Sequence, residues 1–239
     1  MSEQYVLETR NLVKEFKGFV AVNDVNLQIR QGDIHALIGP NGAGKTTVFN
    51  LLTKFLIPTR GQILYRGEDI TPLKSAAIAR KGIVRSFQIS AVFPHMTALE
   101  NIRVALQTAE GSSYSFWKSG NSLHKLNERC MELLESVGLA EFANTTTVEL
   151  AYGRKRALEL ATTLAMEPQL LLLDEPTQGM GSEDVDRVVE LVCKAAQGRT
   201  VLMVEHNLSV VSKLCDRITV LAQGAVLTEG DYQTVSADP

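Results

Sequence analysis

Apolar residues along this chain change their spacing twice. In the first third they alternate or run together over short stretches. Tyr5–Thr9, Val25–Ile29, Ile34–Ile38 and Gln62–Tyr65 are predicted as strands, broken by Gly32-Asp33, by Pro58 and Gly61, and by a turn at Gly67-Glu68-Asp69. One helical pattern interrupts them at Thr46–Lys54. From about Leu99 to Leu164 the spacing becomes helical: Leu126, Cys130, Leu133, Leu134 and Val137 recur at steps of three and four, and Gly138 can end that helix. Between the helical patterns lies Gly111–Asn121, a polar loop with Trp117, read as packing locally. The last third alternates again. Leu170–Leu173 and Thr200–Val204 are buried strands. Val185, Val188, Val189 and Val192 mark an amphipathic helix closed by Gly198, and a further helix starts near Leu208. Ile218–Leu221 and Ala225–Thr228 form a hairpin about Gln223-Gly224. Such alternation predicts an α/β fold with a largely parallel sheet wrapped by helices.

Composition changes this picture little. The 239 residues are 45% hydrophobic and 21% charged, enough for a sizeable core, and the net charge of -3 gives no sign of a nucleic-acid partner. No apolar run approaches the roughly 18 residues of a membrane-spanning helix, and the N-terminus lacks the pattern of a signal peptide. A cytosolic chain is expected, with any membrane role exercised through a partner. Cys130, Cys193 and Cys215 form no metal-ligand spacing and are expected to be reduced, buried and inert.

The chemistry enters with Gly39-Pro40-Asn41-Gly42-Ala43-Gly44-Lys45-Thr46, which matches the phosphate-loop (Walker A) pattern between a strand and a helix. Glycines let successive N–H groups point inward, and the helix adds its positive end. Lys45 would meet the β- and γ-phosphates of ATP, and Thr46 would offer a hydroxyl to Mg²⁺. A chance glycine turn is the plainer alternative, but the lysine and the strand–loop–helix context argue against it. The second site is the strand Leu170–Leu173 ending in Asp174-Glu175. Asp174 could hold Mg²⁺, and Glu175 could orient and deprotonate an attacking water. An ordinary helix cap is the plainer reading, and Pro176 makes it less natural.

Between these motifs, Leu150-Ala151-Tyr152-Gly153-Arg154 precedes a helix and resembles the signature of ABC transporter ATPases, usually Leu-Ser-Gly-Gly-Gln. Other marks follow the family's order: Gln88 resembles its Q-loop glutamine, His206 its switch histidine, and Phe16 the aromatic that stacks on adenine. The resemblance covers essentially the whole chain. It implies a single P-loop NTPase domain of ABC type over residues 1–239, with an antiparallel β subdomain and a helical subdomain inserted at about 89–165. It also implies that Phe16, the phosphate loop and Thr47 bind ATP, and that Thr46, Gln88 and Asp174 hold Mg²⁺. Glu175, His206 and Gln88 are the implied catalytic residues, and the signature acts on the ATP of a second subunit. Ala151 lacks the usual hydroxyl, Tyr152 replaces a glycine, Arg154 replaces the glutamine, and Gly181 stands where many relatives carry aspartate. Arg154-Lys155-Arg156 could add charge near ATP or be simply solvated.

Further stretches, among them Ala21-Val22-Asn23-Asp24-Val25, Val84-Arg85-Ser86-Phe87-Gln88 and Glu205-His206-Asn207-Leu208, resemble the ATPases of branched-chain amino acid importers. That branch implies a peripheral subunit at the cytoplasmic face of the inner membrane. Its implied partners are permease subunits, a second ATPase and, indirectly, a periplasmic binding protein. The pair would be mixed, with a homodimer as the alternative for the chain in isolation. Relatives run somewhat past Ala237-Asp238-Pro239, so a trimmed end is expected. Two other readings share the nucleotide motifs: an exporter ATPase for lipid or lipopolysaccharide, and a non-transport ABC switch on ribosomes or DNA.

Overall fold

The computed structural model describes residues 5–86, 92–109 and 120–238, without the side chains of 120–124 and 182–183. Phe87, Gln88 and Trp117 lie outside the described residues. The chain divides into two compact units. The first comprises Met1–Arg85, Gln169–Gln178 and Ala196–Pro239, and the second Ser86–Pro168 and Gly179–Ala195.

The first unit holds two sheets. In one, β1 (Tyr5–Phe16) pairs antiparallel with β2 (Phe19–Val25), β3 (Gln28–Arg30) and β5 (Arg60–Tyr65), and β5 pairs with β6 (Glu68–Asp69). The other sheet has the order β11-β10-β4-β9-β8-β7, made of β4 (Ile34–Ile38), β7 (Ile83–Ser86), β8 (Leu170–Asp174), β9 (Thr200–Val204), β10 (Arg217–Ala222) and β11 (Ala225–Gly230). The β10–β4, β4–β9 and β9–β8 pairs are parallel, and β11 is antiparallel on β10. All five residues of β8 and of β9 are buried, which accounts for their unbroken apolar runs. The helices of this unit are α1 (Lys45–Leu52), α2 (Ser75–Arg80), α7 (Leu208–Leu214) and α8 (Tyr232–Ala237).

Several strands differ from the sequence expectation. Val25–Ile29 is two strands, β2 and β3, and β1 runs on to Phe16. Three hairpins turn on two residues with positive φ: Lys17-Gly18 (48° and 91°), Arg66-Gly67 (51° and 79°) and Gln223-Gly224 (47° and 80°). This is the mirror-image turn that suits the twist of paired strands. The last is expected as a hairpin and the second only as a turn at Gly67-Glu68-Asp69. Lys-Gly and Arg-Gly lack the asparagine or aspartate that usually announces such turns, and the Gly67 turn lies one residue earlier than the sequence suggested.

The second unit is helical: α3 (Ala98–Ala109), α4 (Gly120–Ser136), α5 (Tyr152–Leu164) and most of α6 (Ser182–Ala196). Leu126, Cys130, Leu133, Leu134 and Val137 are all buried, as one apolar face of α4 requires. Thr97 and Glu100 form a reciprocal capping box at the start of α3, with Thr97 N–H to Glu100 Oε2 at 2.8 Å and Glu100 N–H to Thr97 Oγ1 at 3.2 Å. Cys193 corrects the cysteine expectation: it is exposed, because it follows the buried Val192 by about 100° of helix rotation. Cys130 is buried, and burial pushes the half-buried Cys215 thiol up to about 12.

His35 on β4 is wholly buried, with Nε2 2.7 Å from Thr219 Oγ1, and Thr219 donates to Glu229 at 2.9 Å. Burial lowers its pKa to about 4, against the pull of Glu229. The unfolded chain therefore takes up a proton below about pH 6.5 that the folded chain refuses until about pH 4. The stability from a neutral His35 is complete above pH 6.5 and is lost as pH falls through this window, by about 2 kcal/mol between pH 7 and 5. Urea unfolding at both pH values should show a steeper loss in the parent than in His35→Asn. Equal slopes would remove His35 from the acid sensitivity.

Candidate functional site

The phosphate loop leaves β4 at its carboxyl end, flanked in register by β10 and β9. Its shape depends on two glycines. A Cβ at Gly39 would stand 2.1 Å from the Leu221 carbonyl oxygen, and one at Gly44 2.6 Å from that of Ala21. Both also have positive φ, 145° and 101°, where side chains are strained. The Gly224 N–H donates to Ala43 O at 3.0 Å, holding the loop to the β10–β11 turn. Pro40, Asn41, Gly42 and Thr46 are exposed, and Thr47 is half-buried. Gly44 caps α1 in a left-handed conformation with no side-chain acceptor, so the first N–H groups of α1 have no side-chain cap. Lys45 is buried, and its ammonium donates to Gly39 O at 2.7 Å and Pro40 O at 3.0 Å. A buried cation coiled inside an uncapped helix start is a fitting receptor for a polyphosphate.

At the end of β8, Asp174 is buried and ion-paired with Arg85 of β7. Arg85 also donates to Asn50 Oδ1 of α1 at 2.7 Å and lies 5.6 Å from the Phe49 ring centroid. The acidic strand end is thereby tied to the helix that the phosphate loop opens. Glu175 follows with φ of 47°, a left-handed conformation rare outside glycine, and its N–H donates to Val204 O at 2.9 Å. His206 follows β9 with its side chain 57% exposed and Nδ1 4.0 Å from Glu205 Oε2. Phe16 pairs in register with Phe19, both rings are exposed, and the Lys14 ammonium stands 5.0 Å from the Phe16 centroid. Among the described residues no cluster of three His, Cys, Asp or Glu could hold a metal alone. A Mg²⁺ held by one hydroxyl and one carboxylate together with nucleotide phosphates fits that donor set.

The signature segment lies in the second unit. Leu150 is buried, and Ala151 caps α5 without a side-chain hydrogen bond. Tyr152 is exposed, and a Cβ at Gly153 would meet Asp184 Oδ1 of α6 at 3.3 Å. The Arg154 guanidinium stacks 3.9 Å from the Phe142 centroid, Lys155 donates to Val148 O at 3.1 Å, and Arg156 pairs with Glu159 at 2.9 Å. Each of the three cations thus has a partner within its own unit. A cavity of about 490 Å³ opens beside this segment, bounded by Ala151–Arg154 and by Asp184 and Arg187 of α6. Gly181 has no atom within 4 Å of a would-be Cβ and no positive φ, so an aspartate would fit there.

The structure brings Phe16, the phosphate loop, Asp174, Glu175 and His206 into the first unit and places the signature in the second. No motif marks the polar partners of these residues. Arg85 stands within a family-like stretch of the sequence, and a charged residue beside Ile83 and Val84 in a strand is itself a signal of a buried pair. Glu205 stands in the sequence only as the neighbour of His206.

The family model for ABC transporters matches residues 22–178. The high-affinity branched-chain amino acid transport ATP-binding protein BraF of Pseudomonas aeruginosa is 40% identical over 241 residues, covering 98% of this chain and 94% of the relative. The corresponding LivG protein of Escherichia coli K12 is 39% identical over 243 residues, covering 99% and 95%. A nucleotide-free ATP-binding cassette from an ABC transporter superposes with a TM-score of 0.85 at 28% identity, covering 98% of this chain and 96% of that one. A dimeric cassette in a post-hydrolysis state with ADP and Pi gives 0.79 at 28% identity, covering 94% and 98%.

Proposed function

Because the chain belongs to the ABC transporter family, we propose that it is the ATP-binding and hydrolysing subunit of an importer for branched-chain amino acids or related small molecules. The observation that carries the ATPase reading is the first unit itself, where an uncapped helix start with a buried lysine and the strand-end pair Asp174-Glu175 share one sheet. The importer reading is supported by a likeness that runs through the signature and the segment around His206.

In this reading Phe16 stacks on adenine, and the loop Gly39–Thr47 wraps the phosphates of ATP. Lys45 exchanges its two carbonyl partners for the β- and γ-phosphates. Thr46, Asp174 and Gln88 would hold Mg²⁺, which would draw charge from the phosphate oxygens. Glu175 accepts a proton from the attacking water, whose oxygen bonds to the γ-phosphorus as the bond to the bridging oxygen breaks, leaving ADP and phosphate. His206 stabilises charge on the γ-phosphate. Leu150, Ala151, Tyr152, Gly153 and Arg154 present the start of α5 to ATP on the second subunit, through backbone N–H groups, since Ala151 has no hydroxyl.

No helix among the described residues is long and apolar enough to cross a membrane. The chain would work peripherally at the cytoplasmic face of the inner membrane, paired with a second ATPase beneath permease subunits that a periplasmic binding protein loads. Isolation from solubilised membranes at native abundance, followed by mass spectrometry, should recover two related permeases and a second ATPase. Recovery of export permeases, of ribosomes, or of no membrane protein would overturn the importer reading.

A further inference from the structure

The side chain of Glu205, the residue after β9, is wholly buried. Burying a carboxylate is costly unless its lone pairs are filled, and here four donors surround it. The Thr177 N–H donates to Oε1 at 3.1 Å and the Thr177 hydroxyl donates to the same oxygen; the N–H groups of His206 and Asn207 donate to Oε2 at 2.9 and 3.1 Å. One oxygen thus holds the loop that follows Glu175, and the other holds the loop that carries His206.

The loop it holds is under strain. Glu175 sits at φ of 47° and is anchored on one side by its N–H to Val204 O at 2.9 Å. A non-glycine residue in that conformation is strained and persists only where its surroundings fix it. The Glu205–Thr177 bonds are the anchor on the other side, two residues on. We propose that Glu205 is a positioning residue: its carboxylate clamps the Glu175 and His206 loops together, so that both side chains keep one geometry about the γ-phosphate. The inference rests on the ATPase reading above. The clamp depends on two acceptor oxygens, which an amide cannot supply. In Glu205→Gln an NH₂ group must face either the Thr177 N–H or the His206 and Asn207 N–H groups, so one loop loses its backbone bonds to the side chain while the volume of the side chain is kept.

The experiment compares the full chain with Glu205→Gln, Thr177→Val and Thr177→Ser, reading ATP hydrolysis, ATP-analogue affinity and backbone hydrogen exchange at 175–178 and 206–207. With the clamp, Glu205→Gln lowers kcat about tenfold to a hundredfold and leaves KM for ATP within about twofold. Thr177→Val lowers kcat in the same sense, and Thr177→Ser, which keeps the hydroxyl, restores it. Exchange quickens at 175–178 or at 206–207 in the Glu205 variant, a readout that needs no turnover. A folded Glu205→Gln protein with parental kcat and exchange overturns the clamp. If Glu205→Gln does not fold, equal kcat in Thr177→Val and Thr177→Ser overturns it. A parent chain that hydrolyses no ATP instead overturns the ATPase reading, and the exchange comparison still decides the clamp.

Discussion

Replacing Glu175 with glutamine is expected to lower ATP turnover about a hundredfold to ten-thousandfold, to leave ATP binding intact and to trap an ATP-bound dimer. The substitution changes one oxygen to nitrogen, so shape, backbone anchoring to Val204 and the left-handed φ all survive. The property lost is the capacity to take a proton from water. Nothing in the phosphate loop changes, so the nucleotide enters as before, and the dimer that hydrolysis would normally part stays closed. Gel filtration with ATP should show a dimer that persists in Glu175→Gln and not in the parent. Hydrolysis at the parental rate would take the role of base away from Glu175.

Lys45→Ala is expected to fail one step earlier. The Lys45 ammonium is buried under the loop, held at 2.7 and 3.0 Å by two backbone carbonyls and ready to exchange them for phosphate oxygens. Alanine removes the only lysine of the loop. Charge-assisted contacts to phosphate are roughly twice as strong as neutral ones, and the loss should weaken ATP binding about a hundredfold, near 3 kcal/mol. Titration with a fluorescent ATP analogue measures it directly, and unchanged affinity would sink the role given to Lys45. The two variants therefore separate binding from chemistry: one binds without turning over, the other turns over little because it binds little.

How legible these residues were in the sequence depended on whether their signal was local. The loop from Gly39 to Thr46 is a contiguous pattern with a physical reason at each step, and the buried strands β8 and β9 show as unbroken apolar runs. The α4 face was legible because each of its buried members has another buried member three or four residues away. The hairpin at Lys17-Gly18 was not, and that at Arg66-Gly67 was placed one residue late, since a basic residue before glycine rarely marks a positive-φ turn. Least legible were the bonds between distant segments. Arg85 meets Asp174, and Glu205 meets Thr177, only because β7, β8 and β9 lie side by side in an order that the sequence does not display. Gln88 and Trp117 fall outside the described residues, so their roles stand on sequence alone.

ATP hydrolysis by this chain is expected to drive uptake. The most direct measurement places it in proteoliposomes with its permeases, its partner ATPase and the loaded binding protein, and follows labelled leucine. Accumulation should require ATP on the side of this chain, rise with binding protein and disappear with Glu175→Gln. ATP hydrolysis without uptake of leucine or any related small molecule, under conditions where the complex is assembled, would contradict it.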